Sequence, residues 1–385
     1  MSDTIETTLI ASVEGLTALR DPSGGWTGRL SSSALSTATA VRALAGVDRE
    51  GHGQLISAGL EWLAAHVNED GGWGDTPQSK SNLPTTLLVW SAFGGENSDA
   101  VAGAESWLTA RTGSLEPERI AAALADIYGA DRTFAAPILT MCAISGRLGG
   151  EPEAWDLVPP LPFELAALPA LTFSFMGLPV VSYALPALIA IGQARHFHRP
   201  SRNPAARLLR NLSRHRTLKK LRAIQPPGGG FLEAAPLTSF VAMSLASAGL
   251  ADHPVTTGCV GFLKDTVRPD GSWPIDTNLS TWVTTLSVSA LAAGVPLGDQ
   301  EARTIADWLI DQHHTELHPY TRAAPGGWAW SPLSGAVPDA DDTAGAMIAL
   351  HNLAPDDARA AGAAAAGAKW LVDLQNRDGG IPTFC

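Results

Sequence analysis

Residues 338–344 read Pro338-Asp339-Ala340-Asp341-Asp342-Thr343-Ala344, which places three carboxylates in four positions. A Gly-Gly-aromatic turn, Gly326-Gly327-Trp328-Ala329-Trp330, precedes them, and an apolar run from Gly345 to Leu350 follows. Like charges this close cannot all ionise cheaply, so at least one carboxyl should keep its proton near neutral pH. A carboxylic acid that holds a proton beside aromatic rings is what acid-initiated carbocation chemistry needs. The same residues admit a plainer reading. Asp339 follows a proline at the start of a helix and Asp342 lies three residues on, as an N-cap and its acidic partner do. The helix dipole also favours carboxylates there. Capping accounts for Asp339 and Asp342 but leaves Asp341 without a role.

The elements that must hold these residues follow a repeat. An apolar helix ends near Trp-Leu or Phe-Leu, a Gly-rich turn carries an aromatic residue, and a helix of small residues follows. Copies stand at Gly24-Gly25-Trp26, Trp62-Leu63 with Gly71-Gly72-Trp73, and Gly228-Gly229-Gly230-Phe231. Others are Phe262-Leu263 with Gly271-Ser272-Trp273, Trp308-Leu309 with Gly326-Gly327-Trp328, and Trp370-Leu371 with Gly379-Gly380-Ile381. Glycine supplies the tight turn. Trp26, Trp73 and Trp273 read as staples between neighbouring hairpins. Such hairpins cannot bury both faces alone, so they stack into a solenoid or close into an α/α toroid. Alternating β-branched runs are nearly missing, and the expected fold is all-α.

Composition sets further bounds. The chain has 385 residues, 45% hydrophobic and 17% charged, which describes a core-forming protein long enough for two domains. Cys142, Cys259 and Cys385 form no CxxC pair, so no disulfide framework, structural zinc or other metal is expected. No cofactor motif was found. The first 20 residues carry Asp3, Glu6 and Glu14 and no uninterrupted apolar core, so a signal peptide is not expected and a cytoplasmic setting is. Net charge is −12, yet ten Lys or Arg and no acid lie between Arg195 and Arg222. The most apolar stretch, Leu161 to Ile191, precedes them and contains Pro162, Pro169, Pro179 and Pro186. Its length suits a spanning helix, but the prolines argue against one. The segment at about 161–222 reads as lying at a membrane interface, with cations on anionic head groups. The alternative is a buried segment followed by a solvated basic face. Nucleic-acid binding is not expected, since the rest of the chain is acidic and the run holds only Phe197 as an aromatic.

The segment 338–344 resembles the DxDD motif, DxDDTA in its longer form, of class II terpene cyclases. The Gly-and-Trp turns resemble the QW repeats of squalene–hopene cyclases in degenerate form, best at Trp370, Leu371, Gln375, Gly379 and Gly380, where Ile381 replaces the expected Trp. Ser280-Thr281-Trp282 and Trp328-Ala329-Trp330 resemble that family's segments ahead of the acid motif, and the run Leu178 to Pro186 resembles a bacterial squalene-cyclase-like subgroup. The resemblance implies two α/α toroids: an N-terminal segment 1–20, an inserted toroid 20–250, and a catalytic toroid from 255 to 385. It implies that Asp341 is the proton donor, tuned by Asp339 and Asp342, and that Trp282, Trp328 and Trp330 line a water-excluding cavity with cation-stabilising faces. The substrate implied is a hydrophobic isoprenoid of the squalene type, cyclised without cofactor or metal by an enzyme peripherally associated with the membrane.

Three departures qualify this. After Arg132-Thr133-Phe134 the family often has a cavity Trp where Ile138 stands, and before Pro236 it commonly has Gln where Ala235 stands. Both would alter cavity shape. In the family the acid motif lies mid-chain, whereas here 43 residues follow Asp342. The catalytic toroid is therefore expected to be incomplete and weak or inactive alone, a fragment or a chain completed by a homodimer or a completing polypeptide. The alternatives are a class II cyclase of a prenyl diphosphate, which needs cationic partners for its substrate, and a non-catalytic helical-repeat scaffold that binds lipid or protein. A glycosidase on an α/α toroid is disfavoured by the scarcity of Asn, Gln and Tyr near the motif. A zinc-dependent prenyltransferase lacks its ligands.

Overall fold

A computed structural model describes every residue except Met1, Arg29, 96–97, 130–131, 169–181, 295–296 and Cys385. Leu178 to Val181 of the run Leu178 to Pro186, together with Pro169, lie outside the described residues. The helices are α1 (Ser2–Ala18), α2 (Ala34–Asp48), α3 (Gly53–Ala65), α4 (Leu83–Phe93), α5 (Asp99–Thr112), α6 (Pro117–Tyr128) and α7 (Arg132–Ile144). They continue with α8 (Leu185–His198), α9 (Pro204–Ile224), α10 (Ala235–Ser247), α11 (Pro254–Thr266), α12 (Ser280–Ala292), α13 (Asp299–Asp311), α14 (Ala340–Leu353) and α15 (Ala358–Leu374). The strands among the described residues are two residues each, so the fold is all-α: β1 (Ser32–Ser33) pairs with β2 (Trp273–Pro274), and β3 (Trp328–Ala329) with β4 (Pro338–Asp339).

Local chemistry sets the helix starts. Ser33, Asn82, Ser98 and Asp339 each accept a hydrogen bond from an amide three residues on, satisfying an otherwise orphaned donor. Proline opens α4, α6, α8, α9, α10 and α11, where its missing N–H is not needed.

One hydrogen-bonding pattern links each turn to two helices. The indole of Trp73 donates to Leu63 O at 2.9 Å, closing the turn on the helix before it. Its backbone N–H donates to Thr86 Oγ1 at 3.0 Å in the small-residue helix after it. Trp328 does the same with Leu309 O and Thr343 Oγ1, at 2.8 and 2.9 Å. The staple reading of the aromatic turns holds. Gly271 and Gly326 adopt φ of +84° and +125°, and a Cβ there would lie 2.8 Å from Ala58 O and 3.0 Å from Ala366 O. Only glycine lets each turn sit that close to a neighbouring helix.

The same pattern explains how the chain divides. Trp26 binds Leu16 O locally, but its N–H reaches Thr284 Oγ1 on α12 at 2.9 Å. Trp273 binds Leu263 O locally, but its N–H reaches Thr37 Oγ1 on α2 at 3.0 Å. Residues 1–29 thus pack with 278–385 as one unit, and 30–277 form the other. The expected boundaries at 20 and 255 differ from these, because the α11 hairpin supplies the outer layer for α2 and the α1 hairpin supplies it for α12.

In the larger unit α2 packs on α4, α4 on α7, α7 on α8, α8 on α10, and α10 back on α2, so the inner helices close a ring. In the other unit α12 packs on α14, around a core of Trp26, Val288, Leu291, Ile305, Leu309, Trp328, Ala346 and Leu350. Arg20 pairs with Glu301 at 2.8 Å and ties the end of α1 to α13.

Candidate active site

The acid motif is built at the start of α14. Strand β4 brings Asp339 opposite Trp328, and Asp339 then caps the helix, its Oδ1 accepting the Asp342 N–H at 2.8 Å. Thr343 Oγ1 accepts the Trp328 N–H and donates to Asp339 O at 2.6 Å, locking turn and helix together. From the other side Thr383 O accepts the Ala340 N–H at 2.9 Å, and Phe384 forms a backbone bridge with Asp339.

Asp339 and Asp342 are 2% and 4% exposed. Burial lifts the Asp342 carboxyl well above the usual range, and the neighbouring Asp339 charge lifts it further. Burial also raises Asp339, though the amides of Asp342 and Asp341 that point at it hold it lower than its partner. Both carboxyls are raised, Asp342 further than Asp339, so the pair is arranged to hold a proton between them. The capping reading and the proton-holding reading of this pair are therefore compatible.

Asp341 lies elsewhere on the helix. It is exposed, on the same face of α14 as Ile348. On α12 the exposed large apolar residues are Trp282, at 46%, and Leu286 one turn on. The two helices touch where Gly345 meets Thr285, with space for no Cβ on Gly345. Trp282 and Asp341 both stand one turn before that contact, and Leu286 and Ile348 follow it. The unit thus presents an apolar strip with a carboxyl and an indole at one end and the buried carboxyl pair behind it.

The remaining sequence candidates sort differently. Trp330 is buried, its ring edge-on to Phe384 with centroids 6.1 Å apart. Trp328 is fully buried with both N–H groups engaged, so it sits as a staple and has no surface to offer a ligand. Ile138 is buried in α7 and Pro236 is half-buried in the first turn of α10, both in the larger unit. Among the described residues no three His, Cys, Asp or Glu side chains group as metal ligands.

Sequence reasoning missed two features. One is the Thr383-Phe384 strand against Asp339, which no local pattern announces. The other is a second acidic pair in the larger unit. Asp276 is pushed up to about 6 by burial and by Glu233. Glu233 is 5% exposed with left-handed backbone at φ +53°, and the two segments are joined by Ala235 N–H to Ile275 O at 2.9 Å. The signal was an acid, Glu233, two residues before an inner helix, much as Asp339 stands before its own.

A sequence model of the family "Squalene-hopene cyclase C-terminal domain" matches residues 3–92 and 278–385, just over half of the chain. The chain belongs to this family. The match resumes at 278, where the smaller unit resumes. Sporulenol synthase of Bacillus subtilis is 30% identical over 165 residues, covering 40% of this chain and 25% of that protein. Squalene–hopene cyclase of Alicyclobacillus acidocaldarius is 34% identical over 117 residues, covering 29% of this chain and 18% of that protein. The chain thus spans about a quarter or less of the length of these two curated relatives. Abietadiene synthase from Abies grandis superposes with a TM-score of 0.56 at 17% identity, covering all of this chain and 43% of that one, a likeness of fold.

Proposed function

We propose that this squalene–hopene cyclase family chain carries the acid of a class II cyclase, acting on a linear isoprenoid of the squalene type. Asp341, supplied with the proton that Asp339 and Asp342 hold, would hand it to a terminal alkene, the π electrons forming the new C–H bond and leaving a tertiary cation. Neighbouring alkenes would then close rings, and loss of a proton would end the sequence with the formula unchanged. Trp282 would stabilise passing cations through its exposed face. The observation that carries this reading is the buried Asp339–Asp342 carboxyl pair at the start of the helix that bears Asp341 and packs on the helix of Trp282. A cation formed on an open strip is quenched by water. We therefore infer that the strip is covered, by a completing polypeptide or a second copy, in the active form.

The substrate is lipid-soluble, and the segment at 161–222 supports delivery from a membrane surface. Leu208, Leu209 and Leu212 are 60%, 54% and 68% exposed on α9. Exposed Leu165, Leu168 and Phe197 lie on the segments that pack around it. Arg195 and Arg199 are held by Asp156, and Arg210 by Glu164. Arg207, Arg216, Lys219 and Arg222 form no ion pair with an acid among the described residues, which suits anionic head groups. No described helix is long and apolar enough to cross a membrane.

The test is incubation of the chain and of Asp341→Asn with squalene in detergent, and in parallel with a prenyl diphosphate, followed by mass spectrometry. The expected result is a low yield of cyclised squalene isomer that Asp341→Asn abolishes. Equal yields from both chains would overturn the assignment of the acid. Mg²⁺-dependent cyclisation of the diphosphate alone would replace the substrate.

A further inference from the structure

Three polar groups near the acid pair are buried with no hydrogen-bond partner among the described residues: Trp330 Nε1, Ser280 Oγ and Thr281 Oγ1. Asp339 Oδ2 is likewise buried with no hydrogen-bond partner among the described residues. The four residues are 8%, 4%, 0% and 2% exposed, so solvent does not satisfy them. They sit on adjoining segments. Thr281 and Trp282 N–H both donate to Trp330 O, at 2.9 and 3.4 Å. Trp328, two residues before Trp330, is the strand partner of Asp339. Phe384 touches both, through its backbone bridge to Asp339 and its ring against Trp330.

Their chemistry is complementary. An indole N–H only donates, hydroxyls do both, and a carboxylate oxygen accepts two bonds. One of the two acceptor positions on Asp339 Oδ2 remains open even when the proton shared with Asp342 points at it. Buried groups of this kind are satisfied as a rule, by protein or by ordered water. Water is the ligand that accepts from an indole and donates to a carboxylate within one molecule, and it needs two to four polar partners.

We propose that the junction of β3, β4 and the start of α12 is a site for ordered water, which links Trp330 Nε1–H and the Ser280 and Thr281 hydroxyls to Asp339 Oδ2. On the reading of Asp339–Asp342 as the proton store, this water is a donor already in place when the store gives up its proton and gains charge. Trp330 is then a positioning residue, acting through water on the acid.

The experiment is ¹⁵N-tryptophan NMR on the full chain, with the Trp330 indole assigned by its loss in Trp330→Phe. The expected result is a cross-peak between that indole proton and long-lived water. An exchange-protected indole with no water cross-peak would overturn the proposal. A second arm follows the carboxyl ¹³C shifts of Asp339 and Asp342 with pH. Removing a donor disfavours the anion, so Trp330→Phe and Thr281→Val should each raise the titration midpoint of the pair by about one unit, a tenfold change in proton affinity. An unmoved midpoint in variants of unchanged melting temperature would also overturn it. The two readings fail separately. If the pair titrates in the ordinary carboxylate range, the proton store itself is wrong. If it titrates high but Trp330 contacts no water, only this site is.

Discussion

Asp342→Asn should stabilise the protein at neutral and alkaline pH, although it removes a residue of the acid motif. The carboxyl of Asp342 is raised in the folded state, above its value in the unfolded chain. A group of that kind contributes its full stability below the unfolded value, near pH 4, and loses it as pH climbs toward the folded value. Between these limits the folded state holds a proton that the unfolded chain has released. Each pH unit then removes about 1.4 kcal/mol. From pH 4.5 to 7.5 the wild type should lose about 2 to 4 kcal/mol that the variant keeps, the lower figure applying if Asp339 takes up part of the proton. The amide fits the same space, stays neutral throughout, and can still donate toward Asp339. Urea unfolding of both chains at pH 4.5, 6.0, 7.5 and 9.0 gives the difference directly, and titrations common to both, such as that of Asp276, cancel. Parallel stability profiles would refute the shared-proton argument. A wild type that gained on the variant with rising pH would refute even its sign.

Asp341→Asn, by contrast, should change stability by less than about 0.5 kcal/mol in the same unfolding assay, because the side chain is exposed. Thr37→Val keeps the volume but strands the buried Trp273 N–H, and should destabilise by about 1 to 3 kcal/mol in urea melts. Replacing Leu208, Leu209 and Leu212 together by Ser should leave the melting temperature unchanged and cut co-sedimentation with anionic vesicles by at least about tenfold, given the apolar area removed.

The fold was legible where the signal was local. A Gly-x-Trp turn ten residues after a Leu states both its own indole bond and the close approach its glycine allows, and Trp73 and Trp273 obey it. What the turn does not state is which small-residue helix will accept its backbone N–H. Trp26 finds Thr284 and Trp273 finds Thr37, partners separated by more than two hundred residues, and those two choices set the division between the units. Residues 255–277 read as the start of the last domain because the repeat continues unbroken through them. The acid motif was legible as three carboxylates, but their division of labour was not. Spacing alone does not say that capping would bury Asp339 and Asp342 and leave Asp341 facing outward. Trp328 shows the limit of reading by type: an aromatic beside an acid looks like a cavity residue, yet its Leu309 and Thr343 bonds make it one more staple. The basic run from Arg195 was legible in charge, while the anchoring of Arg195, Arg199 and Arg210 by Asp156 and Glu164 depended on loops folding back from outside it.

The central claim is that a buried carboxyl stays protonated in this chain at neutral pH. Infrared difference spectroscopy with ¹³C-labelled aspartate measures that state directly. The account predicts a neutral carboxylic acid band at pH 7 that disappears in Asp342→Asn and persists in Asp341→Asn. A spectrum at pH 7 with every aspartate ionised, or a neutral band that survives Asp342→Asn, would contradict it.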